Sequence, residues 1–192
     1  MCGRYLFKQN EDEELHDWVS QLNLGSDQSL ALHEVFPTNS TIVLTELKKP
    51  EIMTWGLPKW DGPGVIINAR SETVMESRFF KEHMLNRRCL IKADGFFEWD
   101  KNKQKHLVQS ANGLPFYMAG CFDTTADRPR FVILTDESEG AFRTLHTRVP
   151  LMIPEAYANK YLSDGASVLE DFHNLRQIDL TWVNQAPQLT LF

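Results

Sequence analysis

A chain of 192 residues, 42% hydrophobic and 24% charged, suits one domain with a sizeable core and has an ordinary globular balance. No apolar run approaches the roughly 20 residues that span a bilayer, and the start lacks a basic-then-apolar secretory signal, so a cytoplasmic protein with no membrane partner is expected. The net charge of −6 argues against indiscriminate polyanion binding, yet residues 9–34 carry seven acids and no Lys or Arg while residues 70–105 carry nine bases against six acids, which leaves room for a local positive groove.

Residues 1–7 read as a short strand at the start of the chain. Asn10 with Glu13 forms a capping-box pattern for a following helix, on which Leu15, Trp18, Val19 and Leu22 share a face. Residues 23–37, rich in Gly, Ser and Asp, read as a loop. Thr41 to Leu47 and Glu51 to Trp55 read as paired strands around Lys49-Pro50, and Asp61-Gly62-Pro63-Gly64 breaks the chain before a brief strand from Val65 to Asn68. A helix is expected over Ser77 to Asn86. Short β runs follow at Cys89–Ala93, Phe96–Trp99, His106–Ser110, Phe116–Phe122 and Arg130–Thr135. Pro154 suits the first turn of a helical stretch toward Asn174, and a last strand covers Gln177 to Val183. The fold class expected is α+β, a single β-rich domain over residues 1–184 with mostly antiparallel strands and flanking helices, followed by a short tail at 185–192.

Three cysteines, Cys2, Cys89 and Cys121, are odd in number and widely spaced, with no CxxC or HxxxH pair. Neither a disulfide framework nor a metal site is expected, and no cofactor is called for. Cys89 and Cys121 read as small buried hydrophobes inside strands. Cys2 is different because it directly follows Met1. Methionine is normally removed before a small second side chain, and the mature chain would then begin with a 1,2-aminothiol. An α-amine titrates near about 7.7–8.0 and a thiol near about 8.5, so both are partly nucleophilic at neutral pH. An aldehyde meeting this pair forms an imine that the thiol closes into a five-membered thiazolidine.

Three internal segments put polar groups among apolar strand neighbours, where an unpaired polar group costs free energy. They are Ile67-Asn68-Ala69-Arg70-Ser71-Glu72-Thr73 with Ser77-Arg78, Ala93-Asp94-Gly95-Phe96-Phe97-Glu98-Trp99, and Leu145-His146-Thr147-Arg148-Val149-Pro150. Taken singly, a buried Asn, Glu or His is more often structural. Together with an N-terminal nucleophile, an amide, a carboxylate and an imidazole make an acid–base site.

Met1-Cys2-Gly3-Arg4-Tyr5, Asn68-Ala69-Arg70-Ser71-Glu72, Gly95-Phe96-Phe97-Glu98-Trp99 and His146-Thr147-Arg148-Val149-Pro150, in that order, resemble the SRAP family (SOS response-associated peptidase) from Cys2 to about Val183. The resemblance implies a compact β-rich fold and a suicide-like covalent reaction with abasic sites in single-stranded DNA. It implies Cys2 as nucleophile through amine and thiol, Asn68 holding the N-terminus or the sugar, Glu98 shuttling protons around the imine, and His146 opening the deoxyribose ring or assisting reversal. Arg4, Arg70, Arg78 and Arg148 resemble the family's phosphate and site arginines, in keeping with the fit of arginine forks to phosphate oxygens. Trp55 and Trp60 stand where the family places apolar and aromatic groups beside the lesion. Core packing is the expectation for Trp55, and exposure with DNA contact for Trp60. Pro37 matches a family proline near the DNA, but Glu34 replaces the usual Asn before it.

Three functions are open at this point. The first is a crosslinking protein for abasic DNA, nucleoid-associated and monomeric, with a weak lyase side activity because an imine at C1′ acidifies the C2′ hydrogens. The second is an N-terminal-nucleophile cysteine peptidase or amidohydrolase that removes its own Met1, with Asn68 polarising a carbonyl. The third is a non-covalent single-strand binder in which Glu98 and His146 are structural. Finally, Gln188-Leu189-Thr190-Leu191-Phe192 resembles the QLxLF peptide that docks on the bacterial sliding clamp. There Gln188 is the anchoring amide, and Leu189, Leu191 and Phe192 fill an apolar pocket.

Overall fold

Runs of β-branched and aromatic residues broken by Gly, Asn and Asp turns dominate the middle of the chain, and they pair as antiparallel ladders. The computed structural model describes residues 2–7, 13–22, 30–31, 33–163 and 178–185. Their elements are β1 (Tyr5–Leu6), α1 (Glu13–Gln21), β2 (Glu34–Val35), β3 (Ser40–Leu44), β4 (Pro50–Trp55), β5 (Leu57–Pro58), β6 (Val65–Ile66), β7 (Asn68–Arg70) and α2 (Lys81–Asn86). Then come β8 (Arg88–Ala93), β9 (Gly95–Trp99), β10 (Lys105–Ser110), β11 (Phe116–Asp123), β12 (Arg130–Glu137), β13 (Arg148–Pro150), β14 (Met152–Ile153), α3 (Ala158–Ser163) and β15 (Leu180–Asn184). No helix among these residues is long and apolar enough to cross a membrane.

Two sheets organise the domain. The first runs β15-β10-β9-β1-β2, antiparallel throughout. The second is closed into a barrel: β12-β4-β3-β8-β11 returns to β12, with β13 and β14 attached at its rim. Closure removes the unpaired edges that an open sheet would present. Strand β12 makes it possible by dividing each edge between two partners. One edge takes β4 and then β7 in parallel, and the other takes β11 and then β13 antiparallel. Gly120 is required at this seam, because a Cβ there would lie 2.6 Å from the carbonyl oxygen of Val132.

Trp55, fully buried as expected, sits with its ring 5.4 Å from Tyr5 and 6.3 Å from Phe131, and donates from Nε1 to the Ile67 carbonyl at 2.9 Å. This stack joins the first sheet to the barrel. Cys89 and Cys121 are buried in β8 and β11, also as expected. Arg88 is the unusual core residue. Its guanidinium donates to the carbonyls of Met84, Leu85, Tyr161 and Leu162, so one buried cation satisfies the open C-terminal ends of both α2 and α3.

Several boundaries differ from the sequence reading. The stretch read as a loop over 23–37 contains β2, too short to leave a periodic signal. The strand expected to reach Leu47 ends at Leu44, and Glu46–Lys48 form a 3-10 turn before Pro50 opens β4, a position that tolerates proline. The helix expected from Ser77 begins at Lys81. The Ser77 hydroxyl accepts the Phe79 and Phe80 N–H groups at 3.3 Å, a local arrangement that competes with helix. Asn10, residues 164–174 of the expected helical stretch, Gln177 at the start of the expected last strand, and the clamp-like tail at Gln188, Leu189, Leu191 and Phe192 lie outside the described residues.

Candidate active site

Four elements far apart in sequence deliver the site. The extended lead into β1 carries Cys2, the first residue of β7 is Asn68, β9 carries Glu98, and the turn before β13 carries His146. Parallel pairing of Asn68 with Ile133 of β12 fixes the amide beside the chain start, where Nδ2 donates to the Cys2 carbonyl at 2.9 Å. That bond orients the amide, and leaves Oδ1 buried with no hydrogen-bond partner among the described residues. A buried acceptor held in this way is primed for an incoming donor.

The Cys2 thiol is buried and donates to the Arg4 carbonyl at 3.6 Å. Burial pushes the thiol well above its ordinary value, and the negative charge of Glu98 adds to the effect. Glu98 is only 3% exposed, and its Oε2 lies 3.8 Å from Nε2 of His146, whose side chain is 25% exposed. Burial raises the Glu98 carboxyl and His146 pulls in the opposite sense, with burial prevailing. The backbone N–H of Arg148 donates to Nδ1 of His146 at 3.0 Å. The Arg148 carbonyl oxygen lies 3.0 Å from the same Nδ1, so the Arg148 backbone fixes the ring and turns Nε2 toward Glu98. The Ser138 hydroxyl anchors the same turn by donating to the His146 carbonyl at 2.5 Å. The arrangement therefore sets a carboxyl and an imidazole side by side near a buried thiol, two groups able to exchange protons with a bound reactant.

The expected arginines divide into two groups. Arg70, at the end of β7, and Arg78, in the turn before α2, are exposed. Arg4 and Arg148 are engaged within the protein. Arg4 donates to Glu34 at 3.0 Å, and the Arg148 guanidinium forks onto both carboxylate oxygens of Glu72 and onto the Thr135 carbonyl. Burial alone would raise the Glu72 carboxyl, but the Arg148 hydrogen bonds bring it down to about 2. Trp60 is 70% exposed on the β5–β6 hairpin, its ring 5.2 Å from Phe79, and Pro37 lies half-buried in the turn after β2. Sequence reasoning missed Ser138, Glu72 as a partner for Arg148, and Lys105. Only the Glu72–Arg148 charge complementarity hinted at any of them. Among the described residues no group of three or more His, Cys, Asp or Glu side chains is placed to hold a metal. A cavity of about 560 Å³ lined by Phe142, Leu151, Leu180 and Trp182 shares no residue with the site.

The family model for the SOS response associated peptidase (SRAP) matches residues 1–185. The chain is 30% identical over 181 residues to the abasic site processing protein YedK of Escherichia coli (strain K12), covering 87% of this chain and 82% of that one. It is 27% identical over 187 residues to the abasic site processing protein YoqW of Bacillus subtilis (strain 168), covering 85% and 80%. In fold it is similar to the X-ray structure of a protein from Bacteroides thetaiotaomicron, with a TM-score of 0.75 over 97% of this chain and 93% of that one at 19% identity. With the expected α+β, mostly antiparallel architecture also in place, the chain belongs to the SOS response associated peptidase (SRAP) family.

Proposed function

We propose that this protein processes abasic sites in single-stranded DNA by covalent capture on Cys2. The observation that carries the reading is the convergence of Cys2, held through its carbonyl by Asn68, with the Glu98–His146 pair. The names of the relatives YedK and YoqW point to the same lesion.

Capture requires a free Cys2 amine, hence removal of Met1. His146 assists opening of the deoxyribose ring by moving the anomeric hydroxyl proton, which frees the C1′ aldehyde. The amine adds to C1′, and Glu98 protonates the departing hydroxyl, so one water leaves and an imine forms. The thiol then adds to the imine carbon while its proton passes to nitrogen through Glu98, closing the thiazolidine. A thiol held protonated by its surroundings needs such a base, and a carboxyl raised by burial serves better than an ordinary one. Proton loss from C2′ of the imine, with the C3′–O bond breaking and the 3′-phosphate leaving, gives the weak lyase reaction. Arg4, Arg70, Arg78 and Arg148 hold phosphates, and Pro37 and Trp60 pack against bases beside the lesion. Through Gln188, Leu189, Leu191 and Phe192 the tail docks on the sliding clamp.

The test is incubation of protein lacking Met1, verified by intact mass, with an abasic single-stranded oligonucleotide. A band that survives denaturation without reductant is expected. Its absence, with hydrolysis of members of a peptide panel, would favour the peptidase alternative.

A further inference from the structure

Opposite Glu98, the first sheet presents a different surface. The pairings Leu6 with Glu34 and Gly95, and Trp99 with Lys105, put Arg4, Glu34, Phe97, Trp99 and Lys105 on one face, while Glu98 faces the other. On this face a single carboxylate oxygen, Oε1 of Glu34, accepts from Arg4 at 3.0 Å and from Lys105 at 2.9 Å. Partial burial would raise the Glu34 carboxyl, but the two cations hold it below its ordinary value. The Arg4 guanidinium lies 4.2 Å from the Phe36 ring centre and 5.4 Å from that of Trp99, and Lys105 lies 3.8 Å over Phe97. Phe36 and Trp99 are 37% and 38% exposed, unusual for large rings on a charged surface.

An anion gripped by an arginine and a lysine between two half-open aromatic rings has the composition of a nucleotide seat. The cations supply phosphate contacts, and the rings supply π-faces for a base. We propose that this face is a seat for an undamaged nucleotide next to the lesion, and that Glu34 occupies its phosphate position in the free protein. Arg4 is two residues from Cys2, at most about 7 Å of chain, so a strand captured at Cys2 passes beside it. The incoming phosphate displaces the Glu34 carboxylate from Arg4 and Lys105, and the neighbouring base stacks on Trp99 and Phe36. Glu34 thereby weakens binding of any single strand. This seat rests on the proposed single-strand reading and adds Lys105, Trp99 and Glu34 to it.

The test uses a labelled oligothymidylate without an abasic site, so that capture at Cys2 plays no part, with anisotropy followed from 50 to 200 mM salt. Glu34→Gln is expected to bind about 3- to 10-fold tighter, with a salt slope steeper by roughly 0.7 for each additional phosphate held. Lys105→Gln added to Glu34→Gln cancels most of that tightening. Trp99→Ala binds at least about fivefold more weakly, and Trp99→Phe, which keeps a π-face, recovers most of the loss. Glu34→Gln binding no tighter than wild type, or Trp99→Ala binding as wild type with an unchanged melting temperature, overturns the seat. Wild-type protein that captures abasic DNA while these variants bind like wild type sinks the seat alone. Seat variants behaving as expected in a protein that captures nothing would retain the seat and sink the chemistry at Cys2.

Discussion

Asn68 and Cys2, sixty-six positions apart, are joined by a 2.9 Å hydrogen bond from the amide to the Cys2 carbonyl. The bond fixes Cys2 against β7, so the proposed nucleophile is aimed by β-sheet register and not by its own local structure. Asn68→Ala should slow capture of abasic DNA by roughly tenfold, about the worth of one well-placed hydrogen bond. Asn68→Asp should be worse, because its carboxylate cannot donate to the carbonyl. Single-turnover capture rates check both, and rates equal to wild type would sink the positioning role.

Glu98 is predicted to trade stability for chemistry. Its folded-state carboxyl is raised by burial, so the folded protein binds that proton more tightly than the unfolded chain does. The associated stability is present below the unfolded value of about 4.3 and is lost as pH rises through the raised folded value. Glu98→Gln should therefore melt higher than wild type at pH 7, with the gap closing in acid, while capture slows by roughly 10²-fold. Loss of both stability and capture would mark Glu98 as purely structural.

Glu72 has the opposite sign. With its carboxyl held at about 2 by the Arg148 fork, its stabilisation is complete above the unfolded value of about 4.3 and fades as pH falls through about 2. Glu72→Gln should lower stability at pH 7 by about 1 kcal/mol, since the pair is partly open to solvent, and should match wild type in strong acid. Urea midpoints at several pH values provide the measurement. Because Arg148 also orients His146 through its backbone N–H, the same substitution should slow capture modestly.

Arg70→Gln and Arg78→Gln should weaken binding of intact single strands and reduce the salt slope by roughly 0.7 each, leaving the melting temperature unchanged. An unaltered slope would remove that arginine from the phosphate track.

Deletion of residues 188–192 should abolish clamp binding in a pull-down with purified clamp, and leave capture of short abasic oligonucleotides intact. A tail that instead belongs to the core would reveal itself by a lower melting temperature on deletion.

Much of this was legible from residue order. Strands β8 to β12 announced themselves through Val, Ile and Phe runs, and Cys89 and Cys121 through their apolar neighbours. Asn68, Glu98 and His146 stood out as polar groups in apolar company. Other features depend on pairing that no local pattern encodes. Barrel closure rests on β12 dividing its edges among four strands, and β2 is two residues long. The grip of Glu34 on Arg4 and Lys105 joins three strands whose register must be known first. Helix α2 lost its first turn to a serine hydroxyl, a competition that residue propensities do not resolve.

Strand β1 is synthesised some ninety residues before its partner β9. At about 5–20 residues per second, roughly five to twenty seconds elapse before that partner exists. During this interval Tyr5 and Leu6 have no β9 to dock on, so Cys2 has no fixed place. Docking of β1 and the Asn68 bond then seat Cys2 together. The topology thus makes the seating of Cys2 a late event, one that waits on contacts made across most of the chain and not on its own neighbours.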